Sequence, residues 1–270
     1  MNNSAIGIFD SGLGGLTAVR EIVEIMPHEN IVYFGDTGRV PYGSKSRETI
    51  SKYAGQDARF LKKMGVKLIV AACGTVSSVA PDLSEELGLP YTGVVYPTCF
   101  TAMNTTKNGK IGVIGTAATI NSHSYKRRIQ EKHPEFEVYE HHCQLFVSFV
   151  ENGLVDPDDE LVRLMVQRYM APLKESGVDT LILGCTHFPL LAEAIGREMG
   201  PGVKLIDSGK ETAIYTKKIL TRQGLLNDSS DKGEARFYVS DTPADFERYA
   251  GLFLKDSPSN HVEHINIEEY

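Results

Sequence analysis

The chain has 270 residues, 41% of them hydrophobic, which is ordinary for a soluble globular protein able to bury a substantial core. Its formal net charge of −7 gives no electrostatic reason to expect nucleic acid or an anionic membrane surface as a partner. The N-terminus lacks the features of a signal peptide, and no run of about 18 apolar residues predicts a membrane span. We therefore expect a cytoplasmic protein that binds neither nucleic acid nor membrane.

Short β-branched runs alternate with longer helical patterns along the chain. The predicted strands cover 5–10, 31–36, 67–73, 91–95, 110–116, 136–141, 180–184, 203–207 and 235–240. The predicted helices lie near 14–26, 46–64, 76–88, 119–132, 158–176, 189–199 and 210–223. Ser46 is a predicted helix N-cap and Gly65 a predicted helix stop. This alternation favours an α/β fold with mainly parallel sheets.

A faint internal repeat relates the two halves of the chain. Ile6-Gly7-Ile8 resembles Ile111-Gly112-Val113, at nearly the sequence offset that separates Cys73 from Cys185. The repeat indicates a duplicated α/β unit. The polar, acidic segment 256–270 predicts a loosely packed end.

Two cysteines share one local setting at the end of an apolar strand. Cys73 ends the run 68–73 and Cys185 ends the run 181–185. The four cysteines are Cys73, Cys99, Cys143 and Cys185. Their wide spacing fits neither a disulfide framework nor a zinc site, so we expect reduced thiols and no metal. Since ligands of α/β folds bind at the carboxyl ends of strands, the two strand-end thiols predict one pocket with a sulfur on each face.

Polar residues follow the first two strands. Asp10-Ser11 precedes a glycine-rich turn that opens a helix, where free amide groups bind carboxylate or phosphate. The same residues could act only as a helix N-cap. Pro41-Tyr42-Gly43-Ser44 follows the second strand and offers hydroxyl and amide groups, although such a segment is often just a turn.

His187 lies two residues after Cys185, and a nearby imidazolium raises the thiolate fraction of a cysteine. The alternative is that His187 only caps or packs locally. Glu151 ends an apolar helical pattern over 145–150 that is simplest as core. Glu151 is either solvated or orients His187, as carboxylates often orient a catalytic imidazole.

Together these motifs make the chain resemble the cofactor-independent, two-cysteine glutamate racemases from about residue 5 to about residue 223. The residues that carry the resemblance are 7–17, 35–37, 39–43, 72–73, Thr75, 115–116, 119–120, 145–147, 151–153, 184–191 and 206–209. The family architecture implies two pseudo-symmetric α/β domains with the active site in the cleft between them. We therefore expect a first domain of residues 1–96 plus 208–270, and a second of residues 97–207.

The resemblance implies a two-base racemisation of glutamate with no pyridoxal phosphate or other cofactor. Cys73 would act on the D-isomer, assisted by Asp10, and Cys185 on the L-isomer, assisted by His187 with Glu151 behind it. The implied substrate-binding residues are Asp10, Ser11, Pro41, Tyr42, Gly43, Gly74, Thr75 and Thr186. The product D-glutamate would supply peptidoglycan synthesis, and a homodimer stays open as the assembly.

The chain departs from the family pattern at Gly74, at Gly38, in segment 96–99 and at Gln144, which replaces a common proline. The change at Gly74 matters most, because the family usually has asparagine there and its loss removes a side-chain donor beside Cys73. This change keeps alternatives open. The alternatives are a racemase of another amino acid such as aspartate, a non-catalytic amino-acid-binding member, and a redox protein using Cys73 and Cys185. If glutamate is the substrate, Gly74→Asn is expected to lower its KM.

Overall fold

The computed structural model describes residues 3–80, 82–254 and 262–270. The strands are β1 (Ile6–Asp10), β2 (Ile31–Gly35), β3 (Leu68–Ala71), β4 (Tyr91–Gly93), β5 (Lys110–Gly115), β6 (Glu137–His142), β7 (Thr180–Leu183), β8 (Lys204–Asp207), β9 (Ala235–Val239) and β10 (Val262–His264). The α-helices are α1 (Leu16–Ile25), α2 (Arg47–Lys63), α3 (Gly74–Val79), α4 (Ser84–Leu87), α5 (Val95–Thr105), α6 (Ala117–Asn121), α7 (Ser124–Lys132), α8 (Gln144–Glu151), α9 (Glu160–Glu175), α10 (Ala192–Met199), α11 (Ser208–Gln223) and α12 (Pro243–Leu254). None of the helices in these described ranges is long and apolar enough to cross a membrane.

The strands form two separate sheets whose neighbours all run parallel. One sheet has the order β10-β9-β2-β1-β3-β4, and the other has the order β6-β5-β7-β8. The predicted α/β class with mainly parallel sheets is confirmed. The sheets draw on 6–93 with 235–264, and on 110–207, while the domain limits at 96/97 and 207/208 stay a prediction.

Helices cover both faces of the first sheet, which is why β1 is buried along its whole length. Ile6 and Ile8 pack in the apolar cluster that includes α1 and α11. Phe9 points to the opposite face, in the cluster that includes α2. The period of two along the strand thus divides one short sequence between two cores.

The internal repeat appears in the structure as a shared strand order in the two sheets. The order β2-β1-β3-β4 in one sheet corresponds to β6-β5-β7-β8 in the other, with the cysteines after β3 and β7. The repeated glycines also share a role: a Cβ on Gly7 would meet Val66 and Leu61, and a Cβ on Gly112 would meet side chains that include Leu173. In both strands the glycine leaves room for apolar side chains, since the nearest ones, Val66 at Gly7 and Leu181 at Gly112, would lie 2.9 Å from an added Cβ.

Helix ends were predicted better than helix continuity. Ser46 caps α2 by accepting a hydrogen bond from the Thr49 amide, and Gly65 follows the helix at φ +74°, as predicted. The helix predicted over 76–88 is instead α3 and α4, because Ala80 is extended and precedes a proline in the sequence. The helix predicted over 119–132 breaks at His123, which takes a left-handed φ of 52°.

The C-terminal end differs from the expectation of loose packing. Residues 256–261 lie outside the described residues, but β10 pairs with β9, and Val262 and Ile267 are buried. The Tyr270 ring packs edge-on against Phe60. The last residues are therefore part of the first sheet and its core, because Val262 packs in the cluster that includes α12, while Ile267 and Tyr270 pack in the cluster that includes α2.

The carboxyl ends of the two sheets meet at glycines. A Cβ built on Gly74 would lie 2.2 Å from the carbonyl oxygen of Gly184, at the end of β7. A Cβ on Gly14 would lie 2.2 Å from the Thr186 hydroxyl oxygen. The Thr17 hydroxyl also donates to the Thr186 carbonyl across this junction, at 3.0 Å. The two sheets can therefore approach this closely because Gly14 and Gly74 have no side chains.

Gly74→Ala tests this contact. In an open helix end, alanine in place of glycine stabilises by up to about 1 kcal/mol. We expect Gly74→Ala instead to lower the free energy of unfolding by about 1–3 kcal/mol, because the methyl group meets backbone that cannot rotate away. Urea unfolding followed by circular dichroism measures the change. Gly202→Ala is the control, since a Cβ there meets nothing within 4 Å. Equal stabilities of the two variants would contradict the proposed contact.

Candidate active site

A cavity of about 190 Å³ lies where the carboxyl ends of the two sheets meet. It is smaller than the roughly 300–1,000 Å³ of drug-sized pockets, so it suits a small metabolite. Its lining residues are Ser11, Gly12, Val40, Pro41, Tyr42, Gly43, Cys73, Gly74, Thr75, Thr116, Gln144, Val147, Ser148, Glu151, Cys185, Thr186 and His187. Larger surface hollows, of about 370 and 500 Å³, have no cysteine among their described lining residues. Every predicted site residue except Asp10 lines the two-cysteine cavity.

Cys185, His187 and Glu151 form a chain along one wall of the cavity. The Cys185 sulfur lies 3.7 Å from Nδ1 of His187, and Nε2 of His187 lies 3.0 Å from Oε1 of Glu151. The Phe253 ring holds the imidazole edge-on from behind. Glu151 thus contacts His187 as the orienting hypothesis required, and the alternative that His187 only caps or packs locally is not what the structure shows.

The pKa of His187 reflects this chain. Burial lowers it, but the hydrogen bonds and charges of Cys185 and Glu151 outweigh burial and raise the pKa to about 10, against an ordinary 6.5. An imidazolium therefore stands beside the Cys185 sulfur at neutral pH. Such a neighbour stabilises a thiolate.

Cys73 lies in a different electrostatic setting. It caps the start of α3, and its thiol donates to the Ser11 hydroxyl at 3.6 Å. Burial and then the charge of Asp10 raise its pKa to about 12, although a backbone hydrogen bond from Val76 opposes them. Cys73 is therefore a thiol at neutral pH in the empty cavity.

Asp10 lies just below the cavity and is buried. Its Oδ2 accepts a hydrogen bond from the Gly12 amide at 3.0 Å, whereas Oδ1 has no partner among the described residues. Burial raises the pKa of Asp10, and the charge of His187 opposes that effect. Asp10 acts on Cys73 through its charge, since no hydrogen bond joins the two within the described part of the chain. An orphan carboxylate oxygen at this place suits a ligand cation.

Hydroxyl groups gather at another part of the wall. The Thr75 and Thr116 hydroxyls are 3.0 Å apart, and Thr116 also bonds Thr119 at 3.1 Å. A Cβ on Gly43 would lie 3.0 Å from Thr116, so the loop after β2 reaches the second sheet here. Thr116 was not predicted as a site residue. Its position directly after β5, equivalent to that of Ser11 after β1, is the signal that could have found it.

Tyr42 does not offer its phenol to a ligand. The hydroxyl donates to Asp36 and, at 3.2 Å, to Asp57, away from the cavity. Arg39 binds the same two carboxylates, at 2.7 Å and 3.0 Å. A buried hydroxyl needs partners, and these acids supply them. Tyr42 therefore anchors the loop, and its backbone forms the cavity wall.

The cavity-facing side of α8 was found only in part by the sequence analysis, which named Glu151 as a site residue and Gln144 as a departure from the family but not Val147 or Ser148. Gln144, Val147, Ser148 and Glu151 line the cavity, while Phe146 on the other side is fully buried. Their spacing of three and four residues places the four on one helical face. The apolar residues of 145–150 suggested only core, which hid the second face.

The other two cysteines stay outside the site. Cys99 and Cys143 are buried, free thiols that do not line the cavity. The interpretation of Cys99 as a small hydrophobic core residue is confirmed.

Comparison with known proteins agrees with this geometry. The family model described as Asp/Glu/Hydantoin racemase matches residues 13–215. A glutamate racemase of Geobacter metallireducens is 46% identical over 93% of this chain and 92% of its own length. The crystal structure of glutamate racemase from Francisella tularensis in complex with D-glutamate has 39% identity and a TM-score of 0.91, covering 100% of both chains. The chain belongs to the Asp/Glu/hydantoin racemase family.

Proposed function

We propose that this protein is a glutamate racemase that interconverts L- and D-glutamate by proton transfer between two thiols. The observation that carries the proposal is one small cavity walled by two cysteines, each from the end of a corresponding strand of a different sheet. The names of the similar proteins support glutamate as the substrate.

The two thiols have different neighbours, as the separate roles of base and acid require. In the direction from L- to D-glutamate we assign the role of base to Cys185, which faces the His187 imidazolium, and the role of acid to Cys73, which keeps its proton. With L-glutamate bound, the Cys185 thiolate takes the α-proton and the bonding electrons stay on the α-carbon. That carbon then takes the proton of the Cys73 thiol from the opposite face, giving D-glutamate, a Cys185 thiol and a Cys73 thiolate. The reverse reaction starts from this second state.

The cavity supplies partners for the charges of an amino acid. The charge of the buried Asp10, which lies beside the cavity-lining Ser11 and Gly12, suits an ammonium group, and the hydroxyls of Thr75 and Thr116 suit a carboxylate. Both cysteines are nearly buried, at 4% and 6% exposure. In a buried site, fixed donors stabilise a developing carbanion more strongly than water would.

We further propose that the D-glutamate made here supplies peptidoglycan synthesis in the cytoplasm, with a homodimer as the working assembly. Restored growth of a D-glutamate auxotroph carrying this chain supports the supply role. Sedimentation equilibrium decides the assembly.

The substrate assignment is tested without added cofactor. Purified protein is incubated with L-glutamate and separately with L-aspartate, and both isomers are measured by chiral chromatography. We expect D-glutamate to form up to an equal mixture, because the two isomers have equal energies in water, and no D-aspartate. Racemisation of aspartate alone would replace glutamate as the substrate, and no racemisation would favour the binding or redox alternatives.

Removal of either thiol should stop the reaction. Cys73→Ala and Cys185→Ala should each lower kcat by at least about 10²–10⁴-fold in both directions, because each step of proton transfer loses its acid or its base. Chiral chromatography of both reactions measures the loss. The matched control is Cys99→Ala, a buried thiol outside the cavity. Near-normal turnover by either cavity variant would overturn the two-base assignment.

Glu151 should set the alkaline limit of the reaction. The folded-state pKa of His187, about 10, exceeds its ordinary value, so the imidazolium is present at neutral pH and is lost as the pH rises through about 10. Glu151→Gln removes one of the two groups that raise this pKa, and the alkaline limb of kcat/KM should move toward neutral pH. An NMR titration of His187 follows the same change directly.

Glu135→Gln is the matched control for the pH experiment, because it breaks an exposed histidine–carboxylate pair of 3.1 Å far from the cavity. It should leave the pH profile unchanged. A Glu151→Gln profile identical to that of the control would remove Glu151 from this role.

Whether Gly74→Asn lowers the KM for glutamate stays a prediction, and the structure adds a steric condition to it. A Cβ at position 74 would lie 2.2 Å from the Gly184 carbonyl oxygen, so the two strand ends must move apart to admit an asparagine. In the present arrangement position 74 supplies no side-chain donor.

A further inference from the structure

Gln144 brings an amide side chain into the cavity from the start of α8. It is half-buried and lines the same space as both cysteines. Its Oε1 accepts a hydrogen bond from the backbone amide of Ala117, at a long 3.4 Å. The acceptor end of the side chain is thereby directed toward the start of α6.

The donor end of Gln144 is left without a protein partner. Among the residues in 3–80, 82–254 and 262–270, none accepts a hydrogen bond from Nε2. An amide nitrogen carries two N–H donors. Since Gln144 lines the cavity and its oxygen is engaged, these donors are available to a molecule bound there.

The surroundings of Gln144 suit an anion. Ala117 directly follows Thr116, whose hydroxyl bonds that of Thr75. Of the cavity-lining residues, Glu151 carries the carboxylate, and it is engaged by His187. Asp10, the acid suited to an ammonium group, lies below the cavity beside Gly12, close enough for the His187 charge to lower its pKa. The ammonium group of a bound amino acid would therefore lie toward Asp10, and a carboxylate group would lie toward Gln144 and Thr116.

We propose that Nε2 of Gln144 donates a hydrogen bond to a carboxylate of the bound amino acid and is a specificity-determining residue of this site. The proposal rests on the proposed racemase function. The proposal also explains how the site has a side-chain donor although position 74 is glycine. The strand end after β3 has no room for such a side chain, and α8, which follows β6 of the other sheet, supplies one instead.

The test compares Gln144→Ala and Gln144→Glu with the native protein, by racemisation kinetics and by calorimetric titration with D-glutamate. A hydrogen bond to a charged group corresponds to about 10- to 100-fold in affinity. We expect Gln144→Ala to raise KM and Kd by that factor with kcat changed less than about threefold. Gln144→Glu, similar in shape but negatively charged, should weaken binding further. Gln167→Ala, an exposed glutamine on α9, is the control.

The titration separates this proposal from the racemase function. If the native protein binds glutamate without racemising it, the function fails while the Kd values still decide the role of Gln144. Equal Kd values for the native and Gln144→Ala proteins, or no glutamate binding by the native protein, overturn the proposal. A fall in kcat with KM unchanged also overturns it.

Titration with D-glutamine identifies which carboxylate is bound. If the effect of Gln144→Ala is undiminished with D-glutamine, Gln144 binds the α-carboxylate, which both ligands carry. If the effect is clearly smaller with D-glutamine, whose neutral distal carbonyl accepts a weaker hydrogen bond than a carboxylate, Gln144 binds the distal carboxylate. Either result supports the hydrogen bond.

Discussion

Contact between the carboxyl ends of two parallel sheets is the constraint on which the rest of the site depends. At Gly74 the backbone that follows β3 touches the Gly184 carbonyl after β7, and at Gly14 the turn after β1 touches Thr186. Each contact requires glycine. Because the sheets meet so closely, groups from both share a cavity of about 190 Å³. Asp10, Cys73, Cys185 and His187 are buried there, so each charge acts more strongly on its neighbours than it would in water.

Both thiols are buried, but their charged neighbours differ. Asp10 places a negative charge near Cys73, and His187 places a positive charge beside Cys185. A bound ammonium group near Asp10 would offset the charge that, after burial, raises the pKa of Cys73. Under the proposed function, the substrate itself would thus make Cys73 better able to become the thiolate that the forward reaction leaves behind.

The sequence predicted the parts of the fold whose causes are local. The nine predicted strands are present as β1 to β9, and the fully buried ones, such as β1 and β7, were found because buried parallel strands are continuous apolar runs. The helix α5 was not predicted because its start contains the β-branched Val95 and Thr98 together with Pro97. Proline disfavours a helix interior, but Pro97 lies in the first turn, where it is tolerated. Strand β10 has three residues and depends on β9 to exist. Elements of this kind are stabilised by tertiary contacts that no local pattern records.

The site residues, too, were predicted where the signal is local and missed where it depends on tertiary contacts. Cys73, Cys185 and the residues beside them were found because strand ends bring chemistry together in α/β folds. The sequence analysis offered the Tyr42 hydroxyl to a ligand, whereas in the structure it donates to Asp36 and Asp57. This was not foreseen because the two acids come from separate elements of the chain. The missed residues of α8 belong to a helix that packs one face on the core and turns another to the cavity. A pattern of apolar residues shows the first face and says nothing of the second.

Gly74 and Gln144 lie on parts of the cavity wall that come from different sheets. Together they illustrate why a substitution in one part of the wall is best interpreted with the residues that face it from the other. Judged from its own neighbours in the sequence, Gly74 is a lost donor beside Cys73. In the structure it is the residue that lets the second sheet approach, and this approach brings Thr116 and Gln144 to the cavity. A Cβ at position 74 would require the two strand ends to move apart. In the present arrangement the hydroxyl groups of the cavity wall are joined by the Gln144 amide from α8, which under our further proposal is the donor that position 74 does not supply.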